Sequence, residues 1–357
     1  MSLPPVAQLL WLHLCMHPAG ARSAPAGCFG YDLGMPALDA LRIAAVVGGD
    51  PVRADASTVF VDYHFDSRLV GPGTLFFALR SENGDGHRYL DQVAAHPGTG
   101  AVVSRDFDPV STPLPLIRVD DTRAAYEELA RWVRRSFTAT RYVGITGSAG
   151  KTTTRDFAAQ IAATRFRTFR PPGNWNNWQG VPFALLKMPA QTEVAVFELA
   201  MSSPGIGEIS HLVEILRPDI TCLLNVYPVH LEFLGSLENV ARAKLEIHER
   251  LEADGVALIH GDQELIREGS RDLPCRTVAF GRDPGRNDVV LESVEGDAAG
   301  SRLMVSMEGG RRVFEAPPLT DAQREQLGTA RDMSVELDEA AFYPLLTNAL
   351  GWEPDDK

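Results

Sequence analysis

Lysine is scarce in this sequence: of the 34 basic Lys and Arg residues in 357, only Lys151, Lys187, Lys244 and Lys357 are lysines. Arginine therefore serves wherever a generic cation will do. A lysine inside a motif is then a candidate for chemistry that arginine cannot perform, because an ammonium is a compact charge whose neutral amine can be modified. Positive charge as a whole is in deficit, 34 basic against 47 acidic residues for a net −13. That balance argues against nucleic-acid binding and against an anionic membrane surface, and favours small-molecule chemistry. The four cysteines, Cys15, Cys28, Cys222 and Cys275, form no C-x-x-C pair. Neither a disulfide framework nor a zinc site is supported, which fits a reducing, cytoplasmic location. The apolar stretch Val6 to Met16, broken by Gln8 and His13, is too short to span a bilayer, and no Lys or Arg precedes it as a signal peptide would require. Residues 1–37 read as a poorly ordered leader.

What is present centres on Gly144 to Asp156, GITGSAGKTTTRD. An apolar run, Tyr142 to Thr146, leads into a glycine-rich turn, and Lys151 to Ala163 follows with helical spacing. This is a phosphate-binding loop in outline: turn amides and a helix N-terminus surround one anion, with Lys151 adding a point charge for the β- and γ-phosphates and Thr152 holding Mg²⁺. Ile145 stands where the strict G-x-x-x-x-G-K-[ST] pattern wants its first glycine, yet T-G-S-x-G-K-T is intact.

Around this loop the spacing predicts an α/β architecture in two units. Residues 38–137 form a small α/β domain with strands at Thr58 to Tyr63, Thr74 to Leu79, Gly100 to Ser104 and Leu116 to Val119, closed by a helix from Thr122 to Phe137. Residues 138–316 form a parallel-sheet domain with strands at Tyr142 to Thr146, Glu193 to Leu199, Asp219 to Asn225, Gly255 to His260 and Thr277 to Phe280, and helices at Thr152 to Ala163, Gly207 to Leu216 and Leu237 to Leu251. Short alternating strands at Asp288 to Glu295, Arg302 to Met307 and Arg311 to Glu315 extend it antiparallel. Ligands of such sheets collect beyond the strands' C-terminal ends, where Glu198, Asn225, His230 and Asp262 lie. Residues 317–357, with one possible helix at Asp338 to Leu350, read as a tail too short for a domain.

Several ordered motifs together resemble the Mur ligase family. They are TGSAGKTTT, Gly173-Asn174-Trp175-Asn176-Asn177 before Gly180-Val181-Pro182, Glu198-Leu199 with Met201-Ser202, and the run from Val229 to Ile247. In the first domain, Asp66-Ser67-Arg68, Pro72-Gly73 with Leu75 to Leu79, and Asp85-Gly86-His87 are similar to that family's uridine-nucleotide domain. The asparagine-rich run is closest to the branch that adds D-alanyl-D-alanine to a UDP-MurNAc-tripeptide in peptidoglycan assembly. The resemblance implies an ATP-dependent ligase that activates a carboxylate as an acyl phosphate for attack by an amine. By the same resemblance, Thr146, Gly147, Ser148, Gly150, Lys151, Thr152 and Thr153 hold ATP, with Asn176, Asn177 and Asp262. Thr152, Glu198, His230 and Lys244 serve two Mg²⁺ ions, Lys244 as a carbamate. Asp66, Ser67, Arg68, Asp85 and His87 meet the UDP-substrate.

The departures carry expectations too. Ser81 and Ala200 replace usual glycines, Pro204 to Glu208 is two residues longer than the common P-G-E, and His260-Gly261-Asp262 stands where Asn-x-Asp is usual. The stretch that leads into the family's third, acceptor-binding domain is missing, so that domain is expected to be absent. Ligation is therefore expected to be weak or lost in the isolated chain unless a partner chain supplies the domain; the competing expectation is a ligase-derived nucleotide-binding protein.

Overall fold

The computed structural model describes residues 37–81, 84–202, 205–296, 301–307 and 310–316; the expected leader, the Asp338 to Leu350 helix and the rest of the tail lie outside them. The first unit comprises strands β1 (Leu38–Asp39), β2 (Asp50–Val52), β3 (Val59–Phe60), β4 (Asp62–His64), β5 (Thr74–Phe77), β6 (Arg80–Ser81), β7 (Gly84–Asp85), β8 (Gly100–Ser104) and β9 (Leu116–Val119). Five of them form a sheet in the order β2-β9-β8-β5-β4, parallel except for β2. Helices α1 (Ala40–Val47), α2 (Leu90–Ala94) and α3 (Thr122–Ser136) complete the unit. The expected strand from Thr58 to Tyr63 is split: β3 pairs with β1 and β4 joins the main sheet, with Val61 between them bonded to the Gly73 carbonyl.

Helix α3 starts where Asp121 accepts from the amides of Arg123 (2.8 Å) and Ala124 (3.1 Å), an N-cap that satisfies two otherwise orphaned donors. Tyr126, Leu129, Ala130 and Val133 are buried on one face of α3. They belong to a single apolar cluster that continues into the second unit through Phe183, Leu212 and Leu216. Polar ties reinforce the junction: Tyr126 Oη donates to the Gln179 carbonyl at 2.8 Å, and Arg134 Nε to that of Leu216 at 2.7 Å.

The second sheet contains β10 (Arg141–Thr146), β11 (Thr168–Phe169), β12 (Val194–Glu198), β13 (Ile220–Leu223), β14 (Val256–His260), β15 (Arg276–Gly281), β16 (Val289–Gly296), β17 (Ser301–Met307) and β18 (Gly310–Ala316). Their order is β11-β12-β10-β13-β14-β15-β16-β17-β18, parallel from β11 to β16 and antiparallel beyond. Its helices are α4 (Lys151–Ala163), α5 (Gly180–Lys187), α6 (Glu208–Leu216), α7 (Leu231–Leu234), α8 (Leu237–Leu245) and α9 (Glu264–Gly269). The chain leaves β10 toward β11 and β12 on one side and reaches β13 on the other, so the sheet's switch point falls at β10. A crevice at the C-terminal ends of β10, β12 and β13 is where ligands of this architecture bind. Helix α5 has no sequence signature because nearly all of it is buried, which erases amphipathic periodicity. The expected helix from Leu237 to Leu251 ends early, at Leu245, and passes into a 3₁₀ turn over Glu246–His248.

Candidate active site

The loop after β10 is closed by one asparagine. Asn225, fully buried just beyond β13, accepts the Ala149 amide on Oδ1 (2.9 Å), donates Nδ2 to the Ala149 carbonyl (3.2 Å), and accepts the Ser148 amide on its own carbonyl (3.0 Å). Ser148 Oγ accepts from the Tyr227 amide at 2.8 Å. These bonds use two amides that the sequence alone leaves facing the anion. The donors still presented are those of the first turn of α4, Lys151 to Thr153, which have no intrahelical partner. Two glycines are required here. Gly150 caps α4 at φ +78°, and a Cβ on Gly147 would lie 2.9 Å from Leu224 Cβ.

Both conspicuous lysines point into this loop. Lys151 Nζ donates to the carbonyls of Gly147 (2.8 Å) and Ser148 (3.3 Å), and Lys244 Nζ reaches the same Gly147 oxygen at 3.0 Å from α8. Two ammonium groups sharing one acceptor repel each other. Burial, with the charge of Lys151 added, pushes the Lys244 amine down to about 7, and burial also lowers Lys151. Glu198 ends β12 nearly buried; its Oε2 accepts from Thr152 Oγ1 at 2.6 Å and its Oε1 from Asn176 Nδ2 at 2.8 Å. Thr146 Oγ1 is tied to the Leu199 carbonyl at 2.8 Å.

Other expected residues are placed with different partners. Asn177 turns away to cap α5, accepting from the amides of Gln179 and Gly180, and Thr153 is exposed beside Thr152. Asp262 shapes the loop after β15, accepting from the amides of Arg282 (2.7 Å) and Asp283 (3.1 Å) and from Asn287 Nδ2 (2.5 Å). His230 is exposed at a left-handed φ of +57°, at the start of α7; among the described residues nothing hydrogen-bonds its imidazole. In the first unit Asp66 holds Arg68 in a two-point ion pair, leaving Arg68 mostly exposed, and Ser67 Oγ bonds Gln92 Oε1 at 3.0 Å. His87 is buried, with Nδ1 2.5 Å from Asp85 and Nε2 accepting the Ser104 amide at 3.0 Å. Sequence reasoning missed Arg155 and Asp156 as parts of this neighbourhood, and noted Asn225 only as a polar residue after a strand.

Among the described residues no three His, Cys, Asp or Glu side chains gather into a metal cage. Mg²⁺ does not need one, for it takes one or two carboxylates and completes its octahedron with water and phosphate oxygens. A buried carboxylate set against a hydroxyl at a helix N-terminus meets that requirement.

A glycine-rich loop at the switch point of a parallel sheet, with a buried glutamate and two converging lysines beside it, gives the chain the architecture of the phosphate-loop α/β proteins. Residues 145–320 match the model described as the Mur ligase middle domain, and the chain carries that domain. Similar proteins include the UDP-N-acetylmuramoyl-tripeptide--D-alanyl-D-alanine ligases of Bacillus subtilis (36% identical, covering 71% of this chain and 54% of the relative) and Escherichia coli (40% identical, covering 60% and 45%). The chain thus spans about half the length of these relatives. Among solved structures, MurF from Acinetobacter baumannii superposes with a TM-score of 0.77 at 25% identity, covering 89% of this chain and 66% of that one.

Proposed function

We propose that the chain acts as an ATP-dependent ligase of peptidoglycan precursor assembly, joining D-alanyl-D-alanine to a UDP-MurNAc-tripeptide. The observation that carries this reading is the convergence of Lys151 and Lys244 on Gly147, beside the Thr152–Glu198 pair. A carboxylate is a poor electrophile, and phosphorylation by ATP turns it into an acyl phosphate that an amine can attack with loss of phosphate. Positioning and charge neutralisation carry most of such a reaction. On this reading Lys151 swings from the loop carbonyls onto the β- and γ-phosphates, and the first-turn amides of α4 bind them. Thr152 and Glu198 would hold Mg²⁺, which neutralises phosphate charge when bound. The neutral Lys244 amine is suited to add CO₂, forming an N–C bond and releasing one proton; the resulting carbamate is an anionic metal ligand facing Lys151. Asp66, Ser67, Arg68, Asp85 and His87 shape the loops proposed for the uridine nucleotide, of which Arg68 is the exposed cation.

The test is one assay of the purified chain with UDP-MurNAc-tripeptide, ATP, Mg²⁺ and D-alanyl-D-alanine, following phosphate release and the pentapeptide together. Phosphate release that depends on the UDP-substrate and drops at least about 100-fold in Lys151→Ala, as loss of a transition-state charge contact implies, supports the reading. Unchanged ATP binding in Lys151→Ala refutes the loop assignment.

A further inference from the structure

Behind the phosphate loop lies a buried arginine that the proposed chemistry does not use. Arg155, three residues after Thr152 on α4, is 2% exposed. A buried guanidinium is costly unless its donors are matched, and here they are. Nε donates to Asp156 Oδ1 at 2.8 Å and Nη2 reaches the same oxygen at 2.7 Å, while Nη1 donates to the Gly173 carbonyl at 2.8 Å and lies 3.8 Å from Glu198 Oε2. Asp156 is itself steadied by Arg170 at 3.3 Å.

The three groups thus tied together belong to three separate segments. Gly173, at φ +58°, opens the asparagine-rich loop. Asn176 in that loop donates Nδ2 to Glu198 Oε1 and accepts the Ala200 amide on its carbonyl at 2.8 Å, so the loop is pinned at both ends. Glu198, 4% exposed, has Thr152 and Asn176 as its neutral donors and Arg155 as its ion-pair partner. The circuit Arg155–Gly173–Asn176–Glu198–Arg155 closes on itself.

We infer that Arg155 is a positioning residue for Mg²⁺ binding: its planar fork holds the asparagine-rich loop at Gly173, whose Asn176 fixes the Glu198 carboxylate opposite Thr152, and its charge lies beside that carboxylate, without touching nucleotide. This rests on the ATP-site reading above. Lysine could keep the charge at this place, but one ammonium lacks the rigid fork that reaches a carboxylate and a carbonyl in fixed directions. Methionine keeps volume and removes both.

The experiment measures ATP binding by calorimetry in EDTA and across a Mg²⁺ titration, for wild type, Arg155→Lys, Arg155→Met and Lys151→Ala. The expected result is a Mg²⁺ half-saturation raised about tenfold in Arg155→Met and about threefold in Arg155→Lys, as the loss and the misplacement of charge-assisted contacts imply, with ATP affinity in EDTA within about twofold of wild type. A merely structural role would move both measurements together or neither. Mg²⁺ half-saturation within about twofold of wild type in whichever Arg155 variant folds overturns the inference, since each removes the fork. Lys151→Ala separates the two ideas: intact ATP binding there sinks the site reading itself, whereas lost binding beside an unmoved Mg²⁺ curve in the Arg155 variants sinks only this proposal.

Discussion

At the scale of single residues, Lys244 is the group whose placement is hardest to explain by packing alone. It is 3% exposed and shares its acceptor with a second lysine, and its folded-state amine titrates near 7 instead of its ordinary 10.5. Between those two values the unfolded chain binds the proton and the folded chain does not, so stability rises with pH across that window. Below pH 7 both states are protonated and the full penalty of the buried ammonium is felt. Lys244→Met should therefore be more stable than wild type at pH 6.5, by up to about 5 kcal/mol at 1.36 kcal/mol per pKa unit, and the gap should close toward pH 10. Urea melts in bicarbonate-free buffer check this; a gap independent of pH would mean that the amine is not depressed. Residues such as Lys151 and Lys244 were legible in the sequence because lysine is rare here and a motif surrounds each. Arg155 was not legible for the converse reason: in an arginine-rich chain one more arginine on a helix carries no signal. Only the fold brings Gly173 and Glu198 to it.

At the scale of elements, the break in the expected Leu237 to Leu251 helix has a physical cause. At Glu246 the helix tightens into the 3₁₀ turn, and that residue's carboxylate lies at the start of α6, accepting from the amides of Gly207 (2.6 Å) and Ser210 (3.0 Å). Gly207 sits there at φ +100°, a conformation that strongly favours glycine. Helix α6 is thus capped from another helix instead of by its own N-cap side chain. Periodicity reveals where apolar faces run, not which carboxylate will reach across to a neighbouring helix end, so the sequence extends the helix six residues too far. Glu246→Ala should cost about 1–3 kcal/mol, the range for leaving buried donors unpaired, and Glu246→Gln, which retains one acceptor, should cost less. Thermal melts of the two variants give the ordering; equal stabilities would mean that solvent replaces the carboxylate without penalty.

At the scale of the whole molecule, the two sheets are joined by a common apolar cluster and by a polar core whose acid sensitivity can be measured. The alternation of strands and helices gave both sheets and the crevice at β10, yet it is silent on how they dock, because docking uses α5, whose all-round burial hides its period. His64 on β4 lies in that junction, 8% exposed, packed on Phe183 of α5 at 5.0 Å and 3.1 Å from Lys187 Nζ, which also pairs with Asp62. Burial first and the Lys187 ammonium second push its imidazole down to about 4, against a smaller upward pull from Asp62 and Asp66. The unfolded chain takes up the proton near 6.5 and the folded chain only near 4, so the junction's stability is intact above 6.5 and is lost as pH falls through that interval. His64→Phe keeps a ring against Phe183 and removes the titration. Going from pH 7 to pH 4.5, wild type should lose about 2–3 kcal/mol more than the variant, at 1.36 kcal/mol per unit, read from guanidinium melts at each pH. Because one cluster spans both sheets, that loss should appear as a shift of a single cooperative transition. Two separated transitions, or equal losses in wild type and His64→Phe, would show that the junction neither couples the sheets nor feels this imidazole.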